Sequence, residues 1–259
     1  MKYWFVFIDS QLVVLPQADG SCIVPFSENP PRQLLPKRLP LQVASSDKAE
    51  MWTYETEMPE GGLPDGLEAV ELRSTFGRLS AEMFAKAGKC REMLYWDSNT
   101  IYCGKCGGKM KMHTENSKCC TACGTEVWPQ LATAVICLIE KGDEILLVRT
   151  HQFRKDYYGL VAGFVETGEK LEDAVRREAA EETGIRIKNI RYFGSQPWPY
   201  PCGLMVGYTA EYDGGDIRLQ TSELADGRWF RASELPRIPD KASIARRLID
   251  CWLEKQGVK

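Results

Sequence analysis

Through most of the first 75 residues, apolar positions come in short runs or alternate with polar ones, and turn-forming residues separate them. That rhythm predicts strands. Residues 3–8 and 12–15 flank Asp9-Ser10, a hairpin signal, and residues 51–56 predict another strand. The proline-rich stretch 27–40 has few apolar periods and is expected to be loop. From Leu79 to Trp96, Ala, Met and Leu recur at spacings of three and four, which predicts a helix. Gly88 is expected to weaken its middle. Nothing in this N-terminal third points to chemistry.

Further on, residues 132–139 and 144–149 predict two strands, with Gly142-Asp143 in the turn. A loop is expected to lead to Gly163. A strongly charged helix follows, from about Lys170 to Thr183, with Gly184 as its C-cap. Strands are predicted at 187–193, 204–212 and 228–231, and a final helix at 242–255. No internal repeat or low-complexity segment is apparent. Strands around a central helix suggest an α+β sandwich.

Composition adds exclusions. The 259 residues are 44% hydrophobic and 27% charged, ordinary for a globular chain, with a formal charge of -3. Without a broad basic field, general nucleic-acid binding is disfavoured, and any RNA affinity is expected to be modest. No apolar run reaches the roughly 18 residues of a membrane helix, so no membrane partner is expected. The apolar opening, residues 1–8, ends at Asp9 with no small-residue cleavage site after it. It is expected to be a strand in a cytoplasmic protein.

Five of the ten cysteines, Cys103, Cys106, Cys119, Cys120 and Cys123, fall within 21 residues. Cys103-x-x-Cys106, thirteen residues and Cys120-x-x-Cys123 make a four-thiolate set with the spacing of a zinc ribbon. One structural zinc per chain is expected, because four cysteines leave no open coordination position. Gly104, Gly107 and Gly124 supply permissive backbone around the turns. Cys119 is a possible substitute for Cys120, but the spacing to Cys123 favours Cys120. Lys105, Lys109, Lys111 and Lys118 are expected to form a solvated face.

The charged helix holds the main chemistry. Glu178, Glu181 and Glu182 stand at i, i+3 and i+4, on one side of a helix. Like charges at that spacing repel unless cations sit among them. Hard divalent ions take carboxylates plus substrate phosphates, so phosphate chemistry is implied.

The segment 163–185 resembles the Nudix box, G-x5-E-x7-R-E-U-x-E-E-x-G-U, where U is a bulky aliphatic residue. It reads Gly163, Glu169, Arg177-Glu178-Ala179-Ala180-Glu181-Glu182 and Thr183-Gly184-Ile185, with Ala179 the one departure. The resemblance implies a Nudix α/β/α sandwich, with Glu178, Glu181 and Glu182 catalytic and bound to Mg²⁺ or Mn²⁺. It also implies that the Ala162 carbonyl completes the metal shell, Gly163 permits a tight turn, Arg177 orients a box glutamate and Glu169 holds the loop.

Past the box comes Ser195-Gln196-Pro197-Trp198-Pro199-Tyr200-Pro201. Alternating prolines exclude a helix or central strand and leave a stiff extended segment from which Gln196, Trp198 and Tyr200 project. The string resembles the S-Q-P-W-P-F-P-x-S signature of the NADH pyrophosphatase subfamily, with Tyr200 for Phe and Gly203 for the final Ser. That subfamily also carries a zinc ribbon ahead of its Nudix domain. The implied domains are an N-terminal mainly β α+β domain (1–98), the ribbon (99–128) and the Nudix domain (129–259). The resemblance covers residues 73–255 well and the first 70 only by position.

By the same resemblance, Glu223 is a further catalytic and metal-binding glutamate. Trp128 and Phe164 sandwich a base or nicotinamide. Gln196, Pro197, Trp198, Pro199, Tyr200, Pro201, Cys202 and Gly203 form the substrate stretch. Ala245 is a phosphate-side contact, and Arg73 and Glu115 are further substrate positions. The implied reaction is hydrolysis of NADH or NAD⁺ to NMN(H) and AMP, and of 5′-NAD-capped RNA to NMN and 5′-monophosphate RNA, by a homodimer. The alternatives are a Nudix hydrolase for another substrate such as ADP-ribose, which the string 195–201 argues against, and a zinc-ribbon nucleic-acid-binding regulator with an inactive Nudix domain.

Overall fold

The computed structural model describes residues 1–45, 49–152 and 156–258. They form two compact units. The first comprises residues 1–131 and 198–202, the second residues 132–197 and 203–259.

In the first unit, β1 (Lys2–Ile8) and β2 (Gln11–Pro16) form the predicted hairpin. Asp9 and Ser10 adopt positive φ, 45° and 72°, which suits a tight turn of this hand. The sheet is completed by β3 (Cys22–Ile23), β4 (Phe26–Ser27), β5 (Leu41–Ser45), β6 (Glu50–Thr56) and β7 (Glu68–Glu71). The helix α1 (Ala81–Asn99), capped by the Ser80 hydroxyl, packs on it through Ala87, Cys90 and Met93. Gly88 has a packing role that its low helix propensity hides. A Cβ there would lie 3.3 Å from Pro199 Cγ, so glycine lets that proline seat against the helix.

A three-stranded ribbon follows, built from β8 (Met110–Thr114), β9 (Ser117–Cys120) and β10 (Glu126–Val127). Of its four lysines, Lys118 is not a solvated one. Its side chain is 5% exposed, ion-pairs Asp97 at 2.7 Å and donates to the Asp97 and Thr100 carbonyls.

The second unit contains β11 (Ala132–Lys141), β12 (Glu144–Thr150), β13 (Val161–Phe164), α2 (Leu171–Thr183), β14 (Arg186–Trp198), β15 (Gly203–Gly214), β16 (Leu224–Arg231) and α3 (Ile244–Lys255). Its sheet runs β14-β15-β11-β12-β16, with β13 added on β11. The side chains of α2 (Ala174, Val175, Ala179) pack in one apolar cluster with Val135 and Val161. Those of α3 (Leu248, Ile249, Trp252) pack in a second with Ile136 and Leu138. Neighbouring residues of β11 thus serve opposite faces, the period-2 geometry of a sheet covered on both sides. Ala179 is fully buried there.

Two expectations are corrected. The predicted loop before Gly163 contains β13, whose Gly163 pairs with Val135. The strand predicted at 187–193 continues as β14 through Pro197 to Trp198. Proline is tolerated because β14 is an edge strand, where a missing N–H costs no ladder bond.

A third correction is larger, because an internal repeat exists. In the second unit β11 pairs antiparallel with β12 and β13 and parallel with β15. In the first unit β1 pairs antiparallel with β2 and β4 and parallel with β6. The outer strands repeat as well, since β7 lies on β2 as β16 lies on β12, and β5 lies on β6 as β14 lies on β15. Each series ends in a short 3₁₀ turn and a serine-capped helix. Among the described residues the first unit has no counterpart of α2. Between β4 and β5 it has the proline-rich stretch instead, and with it no box glutamates.

Among the described residues no helix is long and apolar enough to cross a membrane.

Candidate active site and metal centre

The α2 helix begins after Lys170 and ends at Gly184, whose φ of 74° closes it as predicted. It brings Glu178 and Glu182 to its buried side, 9% and 5% exposed, while Glu181 is exposed. Gly163 explains how Glu178 fits. A Cβ on Gly163 would lie 2.0 Å from the Glu178 Cδ and Oε1 and 2.3 Å from Oε2. Gly163 is therefore required by a carboxylate pressed against extended backbone, and the expected tight turn is absent.

Arg177 ties the box together. Its Nε and Nη2 donate to both Glu169 oxygens at 2.9 Å, a bidentate pair. Its Nη1 donates to Glu178 Oε1 at 2.8 Å and Glu181 Oε2 at 3.1 Å, and Nη2 also donates to the Phe164 carbonyl at 2.9 Å. Glu169 accepts from the Glu166 N–H at 3.1 Å, closing the loop before the helix. The Arg177 pair holds the Glu169 carboxyl below its usual range.

The opposite shift marks the buried glutamates. Burial above all, then the charges of Glu178 and Glu223, pushes Glu182 up to about 8. Burial also raises Glu178, with Arg177 opposing and Glu181 and Glu223 reinforcing the rise. Glu182 Oε2 is buried with no hydrogen-bond partner. Glu223 sits in the exposed turn before β16, its Oε1 accepting from Gln220. The glutamates do not converge as the ribbon sulfurs do, but their mutual repulsion and the orphaned buried oxygen are what a divalent cation would relieve, so these residues fit such an ion.

One consequence is measurable without substrate. A carboxyl whose folded pKa lies above its unfolded value near 4.3 binds more protons folded than unfolded in between. Metal-free protein should therefore lose stability as pH rises from about 4.5 towards 8. Glu182→Gln should flatten that slope in urea titrations. An unchanged slope would remove Glu182 as its source.

The ribbon places Cys103, Cys106, Cys120 and Cys123 with all sulfurs within 4.8 Å of one another. Cys103 and Cys123 Sγ are 3.8 Å apart and Cys106 and Cys120 Sγ 3.4 Å. Ligands at about 2.3 Å from a tetrahedral zinc would stand about 3.8 Å apart. The Cys123 and Ala122 N–H groups point at Cys120 Sγ and hold that thiol below its usual range. Thr125 does the same for Cys123, bringing it to about 6. Positive φ at Gly107 and Gly124 shapes the two turns. Gly108, which the sequence pattern did not single out, matters differently, since a Cβ there would meet Ala122 Cβ at 2.7 Å and Cys120 Sγ at 3.0 Å. Cys119 lies outside the four-sulfur group.

The remaining sequence candidates are distributed unevenly. Gln196 uses its amide to hold the start of α3, donating to the Ala242 carbonyl at 2.7 Å and accepting from the Ile244 N–H at 2.5 Å. Pro197 is exposed beside it. The segment Trp198–Cys202 belongs to the first unit. There Trp198 meets Tyr200 edge-on at 5.1 Å and lies under the Arg73 guanidinium at 5.2 Å, while Pro199 is buried and its carbonyl accepts from Arg91. Pro201 follows a cis peptide bond. Cys202 and Trp128 line a groove of about 650 Å³ with Glu92 and Trp96, and Trp128 is 54% exposed. Phe164 is 66% exposed. Glu115 sits in the exposed turn between β8 and β9. Ala162 lies in β13 beside Gly163, and Gly203 opens β15. Ala245 packs its side chain into the α3 core, 7% exposed.

This fold, with the box on α2, defines a class. The NUDIX domain description matches residues 128–251, and the chain belongs to the Nudix hydrolase family. A second description, the NADH pyrophosphatase-like rudimentary NUDIX domain, matches residues 1–96, the unit whose strand pairing repeats that of the catalytic one.

Within the family the chain is similar to proteins named NAD-capped RNA hydrolase NudC. It is 37% identical over 233 residues to that of Stutzerimonas stutzeri, covering 87% of this chain and 83% of the relative. It is 34% identical over 248 residues to that of Escherichia fergusonii, covering 95% and 91%. A Nudix hydrolase structure from Nitrosomonas europaea shares the fold, with a TM-score of 0.52 and 22% identity over 60% of this chain and 92% of that one.

Proposed function

We propose that the chain hydrolyses the diphosphate of NADH and NAD⁺ to NMN(H) and AMP, and removes 5′-NAD caps from RNA to leave NMN and 5′-monophosphate RNA. The observation that carries the reaction is the pair of buried box carboxylates, Glu178 and Glu182, with its orphaned oxygen. Relatives named NAD-capped RNA hydrolases, matched across both units, support the substrate. Free dinucleotide and capped RNA present the same diphosphate and the same NMN half, so one chemistry serves both.

Glu178, Glu181, Glu182, Glu223 and the Ala162 carbonyl would hold Mg²⁺ or Mn²⁺. When bound, such ions neutralise the diphosphate and lower the pKa of a coordinated water. Arg177 fixes Glu178 and Glu181 and ties the turn before the helix to Glu169. Glu181 or Glu223, both exposed, takes the proton of the attacking water. Trp128 and Phe164 offer exposed aromatic faces to a base or nicotinamide. Arg73, Glu115 and the stretch 196–203 are the further substrate positions, with Gln196 acting by holding α3 and Ala245 through its backbone. The ribbon cysteines hold one structural zinc. The working form is a cytoplasmic homodimer, for which sedimentation should return twice the chain mass.

The test supplies purified protein and Mg²⁺ or Mn²⁺ with NADH, NAD⁺, ADP-ribose and NAD-capped RNA in parallel. AMP, NMN(H) and 5′-monophosphate RNA ends are expected. Cleavage of ADP-ribose alone would overturn the substrate assignment.

A further inference from the structure

The -3 charge of the chain conceals an asymmetry. Residues 99–128 contain four lysines, two glutamates and no other Asp, Glu or Arg, a local +2, so the rest of the chain carries -5. The structure sets two of these lysines, Lys109 and Lys111, on one face. Tyr102 and Lys109 are antiparallel partners, so their side chains share a side of the sheet. Lys111 lies two residues further along and joins them, while Met110 between turns inward against Cys103 and Cys120. Tyr102 is 61% exposed, and Lys109 and Lys111 are exposed. Lys105 is exposed on the adjoining cysteine turn and His113 at the far end of β8.

No carboxylate among the described residues pairs with Lys105, Lys109 or Lys111. Two strands away on the same face, Glu126 has its carboxylate engaged by the Ser117 hydroxyl at 2.6 Å. Lys118, which is buried and paired, shows what a structural lysine looks like in this ribbon. The outward lysines make no such contacts.

We propose that this ribbon face, Tyr102 with Lys109 and Lys111, binds the single-stranded RNA body that follows a 5′ cap, an inference that rests on capped RNA being a substrate. Lysines spaced along a strand suit successive phosphates, and an exposed tyrosine between them offers a stacking platform indifferent to base identity. A free dinucleotide has no such body, so the face separates the two substrates.

The test uses the full-length protein as wild type, Lys109→Gln/Lys111→Gln and Tyr102→Ala. Zinc content and circular dichroism confirm the fold. KM for an NAD-capped RNA of about 20 nucleotides should rise about tenfold in each variant, while kcat/KM for NADH stays within about twofold. The salt dependence of binding to the same RNA, read by fluorescence anisotropy, should lose about 1.4 from its log–log slope in the double variant, about 0.7 for each phosphate contact. Unchanged RNA affinity in both variants, or a parallel fall in NADH turnover, would overturn the proposal. If wild type leaves the cap intact, the decapping assignment fails instead, and anisotropy still decides whether the face binds RNA.

Discussion

Glu178→Gln should lower NADH turnover by at least about 10³-fold and leave the fold and zinc content intact. Loss of one preorganised charge at a reacting phosphate costs on the order of 10²–10³, and loss of a metal ligand adds to it. The less obvious variant is Gly163→Ala. It removes no functional group, yet its methyl would occupy the space 2.0 Å from the Glu178 carboxyl carbon. Either that carboxylate leaves its contact with Arg177 or β13 shifts away from β11. In both cases turnover should fall almost as far as in Glu178→Gln. The two variants differ in the metal-free state, where Glu178→Gln removes a burial penalty and should not lower the melting temperature, whereas Gly163→Ala introduces a clash and should. Full activity of Gly163→Ala would mean that the Glu178 position is not the catalytic one. Full activity of Glu178→Gln would dismiss the carboxylate set itself.

Removing the zinc proposed for the ribbon should have the largest structural effect. Cys103, Met110 and Cys120, with Val127 packed against them, are the whole apolar cluster of this segment, and Cys106 and Cys123 are exposed. Structural zinc contributes roughly 10–16 kcal/mol of apparent binding energy to small modules of this kind, and without it they unfold. Cys120→Ser, or chelation of the wild type, should release one zinc per chain and open residues 99–128 to limited proteolysis. Cys119→Ser, altering the neighbour outside the cluster, should keep the metal. Gly108→Ala should weaken retention, because its methyl would press on Ala122 and Cys120 together. A Cys120→Ser protein that resists proteolysis as wild type does would show that the ribbon stands on packing alone.

What the sequence disclosed follows the kind of physics involved. The box helix, its glycine cap and the cysteine turns were legible because each is a local pattern with a fixed spacing. The first hairpin was legible because Asp9-Ser10 interrupts two apolar runs. β13 was hidden because four residues ending Gly163-Phe164 show no alternation, and they form a strand only because β11 is beside them. The Gly163 requirement, the Gln196 hold on α3 and the Lys118–Asp97 pair all join positions far apart in the chain, which no spacing rule records. The core packing of the Ala245 side chain with Ile244, Leu248 and Ile249 was likewise not visible in the resemblance that made Ala245 a ligand position. The repeat escaped because its two halves share a pairing scheme and little visible pattern.

That repeat also burdens the nascent chain. Two segments of one polypeptide encode the same strand order, and in each the parallel pair closes late, 48 residues apart for Lys2 with Glu50 and 71 for Ala132 with Gly203. Long closures leave strand edges open during synthesis, when a strand of one half could dock on the other. Divergence of the cores guards against this. The first sheet carries Trp4, Phe5 and Phe7 on β1 where the second carries Val135, Ile136 and Leu138 on β11, so a crossed pairing would set bulky rings against slots shaped for branched aliphatics. Order of emergence guards further, because β1 to β7 and α1 all precede β11 in the chain.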